Sequence, residues 1–183
     1  MPLITLVRHG QAAAGWNEEA DPGLSPLGER QALIAADAVA AVGDPVPIVS
    51  SPLKRAQETA RPLARRWDRA VRIDPAFTEI PSPTTDLAER AEWLAAAMSG
   101  TWAEQGEVQA RWRQGIVDAL GALDGDAVVF THFAAINVVL GHALGDDRLL
   151  VSDVDHCART VIEVAHGRIR VVSFGSEGRT ELR

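Results

Sequence analysis

The sequence predicts an α/β protein, a single-domain three-layer α/β/α sandwich with a mostly parallel central sheet, across residues 1–183. Short runs rich in β-branched residues alternate with longer segments of helical periodicity, the pattern of strands joined by helical crossovers. Such crossovers are right-handed and cover both faces of the sheet they connect. A chain of 183 residues, 46% apolar and 23% charged, buries a sizeable core without disulfides or metal. No internal repeat, low-complexity tract or long linker divides it.

The first strand is "LITLV" (3–7). A helix then opens at "SPLGERQA", with Ser25 as N-cap, Pro26 at the first helical position and Leu27, Leu33, Ala36 and Ala40 as its apolar stripe. "VPIVS" (46–50) is the second strand. "SPLKRAQETARPLARRW" opens the next helix in the same manner, with Pro52 at its first position and Pro62 set to kink or divide it. "VRI" (71–73) is a third, short strand, and the proline-rich "IPSPTT" (80–85) reads as a stiff wall. Residues 86–98 and 103–122 form two helices separated near Gly100, with Trp93, Met98, Trp102 and Trp112 packing toward the sheet. "AVVFT" (127–131), a short apolar helix at 134–144, and the strands "RTVIEVA" (159–165) and "IRVVSF" (169–174) complete the fold. "AHGR" joins the last two strands as an antiparallel hairpin.

The net charge of −7 excludes a general affinity for nucleic acid or anionic membrane. No apolar run approaches a membrane span, and no basic region leads into a signal-peptide core. Cys157 is the lone cysteine, which fits a reducing, cytoplasmic setting and a structural thiol. An anionic small molecule needs a local cluster of cations, so the arginines identify the candidate site.

In parallel sheets, ligands bind outside the carboxyl ends of the strands. Here the first strand ends in Arg8-His9-Gly10, the second leads into a helix carrying Arg55, the "AVVFT" strand ends in Thr131-His132, and Glu79 follows the third. A neutral imidazole can attack phosphorus while two guanidinium groups and a second imidazole hold the equatorial oxygens. A carboxyl group then protonates the leaving oxygen; Asp74, Asp86 and Glu89 are the nearby carboxylates that compete with Glu79 for that role. Gly10 lets the backbone approach the phosphate. This scheme needs no metal and no cofactor.

The blocks "LVRHGQ" (6–11), "LSPLGERQA" (24–32), "SSPLKRAQETA" (50–60), "FTEIPSP" (77–83) and "VVFTHFAAIN" (128–137) resemble, in order, those of the histidine phosphatase superfamily, also called phosphoglycerate-mutase-like. The resemblance implies a metal-independent phosphomonoester hydrolase with His9 as the residue phosphorylated and Glu79 as acid/base. It makes Arg8, Arg55 and His132 phosphate ligands, and treats Gly28 and Gln31 as scaffold. Asn17 is carried over as a further phosphate contact, although "AAAG" moves the Trp16-Asn17 pair along the chain. Gln11 stands where glutamate is common, and Phe133 stands where members often have glycine, so both are assigned to the substrate pocket. The substrate is then a small phosphorylated molecule or a phosphoprotein. A mutase-type phosphoryl transferase, a phosphohistidine-protein phosphatase and a non-catalytic phosphate-binding module are the alternatives; the short chain favours hydrolysis. His142, His156 and His166 are read as outside the chemistry.

Overall fold

The computed structural model describes residues 1–165 and 167–176. Its strands are β1 (Leu3–Arg8), β2 (Ile48–Ser50), β3 (Val71–Ile73), β4 (Ala127–Thr131), β5 (Arg159–Ala165) and β6 (Arg168–Ser173). They form one sheet in the order β3-β2-β4-β1-β5-β6. The first four run parallel, β5 runs antiparallel to β1, and β6 antiparallel to β5. The helices are α1 (Pro26–Ala40), α2 (Lys54–Trp67), α3 (Leu87–Met98), α4 (Glu107–Gly121) and α5 (Phe133–Leu144).

The two-residue period of the strands sorts the core into two layers. Ile4, Leu6, Val49 and Val129 pack with Ile116, Leu120, Ile136 and Leu140 of α4 and α5. Val7, Ile48, Val128 and Phe130 pack on the other face with Ala36, Val39, Ala60 and Leu63 of α1 and α2. Trp102 and Met98 are buried, and Trp93 and Trp112 lie partly buried against the first layer. Among the described residues, no helix is long and apolar enough to cross a membrane.

Helix α1 is capped as expected, with Ser25 Oγ accepting the Gly28 amide at 3.0 Å. Its buried face, however, is Gly28, Ala32, Ala35, Ala36 and Val39, while Leu27 and Leu33 are exposed. Small side chains win this face because α1 lies closely against α2, which offers Ala56 and Ala60 in return. The start of α2 also differs from expectation. Pro52 precedes the helix, Leu53 is its N-cap, and the first amides are served by Ser51 Oγ (to Leu53 N–H, 3.2 Å) and Asp21 Oδ1 (to Lys54 N–H, 2.9 Å). Pro62 does not divide α2, whose buried stripe of Ala56, Thr59, Ala60 and Leu63 holds both halves to one surface.

Asp86 caps α3 by accepting the Ala88 and Glu89 amides. The helix expected from residue 103 begins later, because Trp102–Glu104 forms a tight single turn closed by a Thr101/Glu104 capping box. His142 is exposed in the last turn of α5. His166 lies outside the described residues.

Candidate active site

Every strand end that faces the cleft is tied to its neighbour by a backbone bond. His9 N–H donates to Thr131 O (3.0 Å), Ser51 N–H to Phe130 O (3.0 Å) and Asp74 N–H to Ser50 O (2.9 Å). Thr131 Oγ1 adds a bond to Phe77 O (2.8 Å), fixing the segment that carries Glu79. Arg8 ends β1, Arg55 lies in the first turn of α2, His132 caps α5, and Glu79 follows the Pro75–Phe77 turn. All five candidates are buried: Arg8 5% exposed, His9 7%, Arg55 4%, Glu79 6% and His132 0%. Arg8, His9, Arg55 and Glu79 line an open cleft of about 910 Å³.

The hydrogen bonds assign the protons. Gly10 O can only accept, so the His9 Nδ1 lying 2.7 Å away carries the ring proton. Nε2 is left with its lone pair, toward which Arg55 Nε–H points at 3.2 Å. Burial, then the charges of Arg55 and Arg8 with His132 between them in weight, holds His9 well below the ordinary histidine range and therefore neutral.

His132 packs against His9 with ring centroids 5.2 Å apart. Ser51 Oγ, having accepted the Leu53 amide, has a proton to give, and His132 Nε2 is 2.7 Å away. With the Ser51 hydroxyl donating to Nε2, the His132 proton resides on Nδ1, which is buried, makes no hydrogen bond among the described residues and faces Glu79 Oε2 at 3.5 Å. Burial, then the charges of Arg55 and Arg8, keeps His132 neutral as well. Glu79 Oε1 accepts the Ile80 amide at 2.9 Å, and Oε2 lies 3.9 Å from Arg55. Burial raises the Glu79 pKa above the ordinary carboxylate range, against the opposing pull of Arg55, and so favours the neutral carboxyl.

The competing carboxylates are occupied elsewhere. Asp74 Oδ1 accepts Ala76 N–H, Asp86 caps α3, and Glu89 Oε2 accepts from Thr84 Oγ1. None of the three lines the cleft.

Gln11, Asn17 and Phe133 all line the cleft, and the Arg8 guanidinium sits 5.0 Å from the Phe133 ring centroid. Gly10 also serves the packing. Its amide donates to Thr59 Oγ1 at 3.0 Å, and a Cβ on it would lie 2.6 Å from Gly28 O. Glycine is required there by the packing of α1, a constraint that the sequence did not reveal. The "IPSPTT" segment does not wall the cleft either: Ile80 is in the core and Pro81 O accepts from Gln109 of α4. The walls are residues 11–20 and 22 with Arg90, Leu94 and Met98 of α3.

His156, set aside in the sequence, lines the cleft with its ring centroid 6.0 Å from that of His9. Thr59 is a second residue that the sequence did not single out; its hydroxyl donates to Arg55 O (2.6 Å) while accepting from Gly10, joining the Arg55 turn to the His9 loop. Arg90 is a third, its guanidinium 4.3 Å above the Trp16 ring. Cys157, with its thiol pushed up to about 12 mainly by burial, stays protonated and unreactive.

His9, Glu79 and His132 place ligand atoms within 4.8 Å of one another, close enough to hold a metal ion. The fit is poor in charge. A divalent cation there would sit beside the Arg55 guanidinium, which lies 3.9 Å from Glu79 Oε2, and within the field of Arg8.

The sequence profile of the histidine phosphatase superfamily (branch 1) matches residues 4–177. The chain belongs to this superfamily. Among histidine phosphatases of known structure, it superposes on the mycobacterial glucosyl-3-phosphoglycerate phosphatase Rv2419c complexed with VO3 with a TM-score of 0.72 at 24% identity, covering 97% of this chain and 100% of that one. That likeness is one of fold. Phosphoserine phosphatase from Entamoeba histolytica, in complex with 3-phosphoglyceric acid, gives a TM-score of 0.75 at 25% identity over 96% of this chain and 98% of the other. In sequence, the uncharacterized protein Rv0525 of Mycobacterium tuberculosis is 45% identical over 80 residues, 42% of this chain and 39% of that protein. Glucosyl-3-phosphoglycerate phosphatase of Mycolicibacterium vanbaalenii is 40% identical over 80 residues, 42% of this chain and 35% of that protein. The matched region thus spans well under half the length of these curated relatives.

Proposed function

We propose that this histidine phosphatase is a cytoplasmic, metal-independent phosphomonoester hydrolase that works through a phosphohistidine on His9. One observation carries the reading: a buried neutral imidazole lines an open cleft with an unprotonated Nε2 that accepts from Arg55, with Arg8 and a raised-pKa carboxyl alongside. In the first step, Nε2 forms a bond to phosphorus as the ester P–O bond breaks. The electron pair leaves on the alcohol oxygen, which takes the Glu79 proton. Gly10 O, hydrogen-bonded to Nδ1–H, stabilises the positive charge that grows on the ring. Arg8, Arg55 and the His132 Nδ1–H hold the phosphoryl oxygens. Glu79, now a carboxylate, takes a proton from the water that attacks the phosphohistidine, and both groups return to their starting states. The exposed rim at Asn17, Glu18, Glu19 and Ala20 admits that water and favours hydrolysis over transfer to a second site.

Two arginines perform the charge neutralisation, so chelation is expected to leave turnover within about twofold of its starting value, where loss of an essential metal would abolish it. Phosphate release with and without EDTA is the measurement. A large loss that a divalent ion restores would transfer the role to the His9, Glu79 and His132 cluster.

The alcohol portion of the substrate meets Trp16, Leu94, Met98 and Phe133, and among these apolar walls Arg90 stands as a cation. Its Nε is buried without a hydrogen bond among the described residues, and its charge is felt at Glu79 and Arg55. A second anionic group close to the scissile oxygen suits this arrangement. Phosphoserine and glucosyl-3-phosphoglycerate, for which two similar proteins are named, both carry a carboxylate. Arg90→Gln is expected to lower kcat/KM on carboxylate-bearing phosphomonoesters relative to neutral ones by about 10-fold to 100-fold, the worth of one charge-assisted hydrogen bond. An unchanged ratio across a panel of matched pairs would remove Arg90 from substrate recognition.

A further inference from the structure

We propose that His156 is a positioning residue for phosphoryl transfer, because its Nε2 accepts from Arg8 and sets the rotation of the guanidinium that meets the phosphate. The inference rests on Arg8 being a phosphate ligand, as proposed above. Arg8 is held at its backbone and at its guanidinium end by the segment that leads into β5. Its backbone N–H donates to Ala158 O (3.2 Å) and its carbonyl accepts from Cys157 N–H (3.1 Å). At the far end NH1 donates to Val154 O (2.6 Å), and NH2 lies 3.2 Å from His156 Nε2. A guanidinium NH2 can only donate, so Nε2 must be the acceptor and the ring proton must be on Nδ1.

His156 reaches that place through an uncommon backbone. Cys157 adopts a left-handed conformation (φ 58°) although it is not glycine, turning the chain so that the preceding side chain faces the cleft. Asp155 Oδ1 accepts the His156 amide (2.7 Å) and lies 4.0 Å from Nδ1, which orders the ring from behind. Burial, then the charge of Arg8, lowers the His156 pKa to about 4, so the ring is neutral and able to accept throughout the physiological range. Val154 O and His156 Nε2 together fix two of the guanidinium nitrogens. The plane of the group then has one orientation, and what it presents to a phosphate is set in advance.

The test is a double-mutant cycle on Arg8 and His156, read by kcat on nitrophenyl phosphate and by vanadate affinity in calorimetry. His156→Ala is expected to lower kcat and vanadate affinity each by about tenfold, a typical coupling between touching residues, with the thermal midpoint unchanged. His156→Gln, whose side-chain oxygen can occupy the Nε2 position, should recover most of both. In the Arg8→Ala background, His156→Ala should have almost no further effect. Equal losses in both backgrounds, or a Gln variant no better than Ala, would overturn the proposal. Vanadate affinity supplies the same cycle where Arg8→Ala is too slow to assay. Wild-type rates and affinity in Arg8→Ala alone would instead remove Arg8 from the phosphate site, which is a separate failure of the functional reading.

Discussion

His9→Ala is expected to reduce turnover by about 10⁴-fold or more, since loss of a covalent nucleophile leaves only binding and charge stabilisation to act on the ester. The position of the lone pair makes the expectation specific to one atom. Nδ1 is committed to Gly10 O at 2.7 Å and Nε2 faces Arg55, so the phosphoryl group should be found on Nε2 and not on Nδ1. Phosphohistidine is labile in acid and stable in base. Rapidly quenched, alkaline-handled enzyme should therefore carry the modification at residue 9 in mass spectra. Near wild-type turnover in the alanine variant would refute a covalent role for His9.

Glu79→Gln is expected to slow hydrolysis of alkyl phosphomonoesters by about 10²-fold to 10⁴-fold, the usual worth of general acid catalysis. Nitrophenyl phosphate should be affected far less, because nitrophenolate leaves without a proton. This holds where formation of the phosphohistidine limits both rates. Where its hydrolysis limits, both substrates should slow alike and trapped phosphoenzyme should accumulate. Unchanged rates on both would move the acid/base role away from Glu79. A pH effect follows with a definite sign. Burial raises the Glu79 pKa, and the first step needs the protonated form, so alkyl-ester turnover should fall as pH rises through that raised pKa.

Much of the site was legible because it is built at the carboxyl ends of parallel strands. Arg8, His9, Arg55, Glu79 and His132 each follow a run that reads as a strand, and the strand-end rule gathers them. His156 escaped that rule for a geometric reason. β5 is antiparallel, with Arg159 paired to Val7, so the amino end of β5 lies at the same sheet edge as the carboxyl end of β1. A residue just before an antiparallel strand therefore reaches the cleft, and no motif marks it. Ser51 and Thr59 were missed because each acts through its neighbours, and hydroxyl partners cannot be read from spacing. The face of α1 was misread for a different reason: hydrophobicity favoured Leu27 and Leu33, whereas the close approach of α2 selected alanines. The fold survived that error, since either face yields an amphipathic helix on the same side of the sheet.

The meeting of Gly10 and Gly28 bears on how such a protein can diversify. A Cβ on Gly28 would lie 2.1 Å from Gln11 O, so the loop that carries His9 rests on the first turn of α1 as backbone against backbone. Contacts between side chains yield by rotation, but this one has no side-chain torsion through which to yield. Placement of His9 is therefore insulated from drift in neighbouring side chains, and mutational freedom is displaced outward to the small residues of the rim, Ala12, Ala13, Ala14 and Ala20, which line the cleft without bearing on that stop. New substrate shapes can be explored there, one side chain at a time, while His9 stays where the two glycines set it.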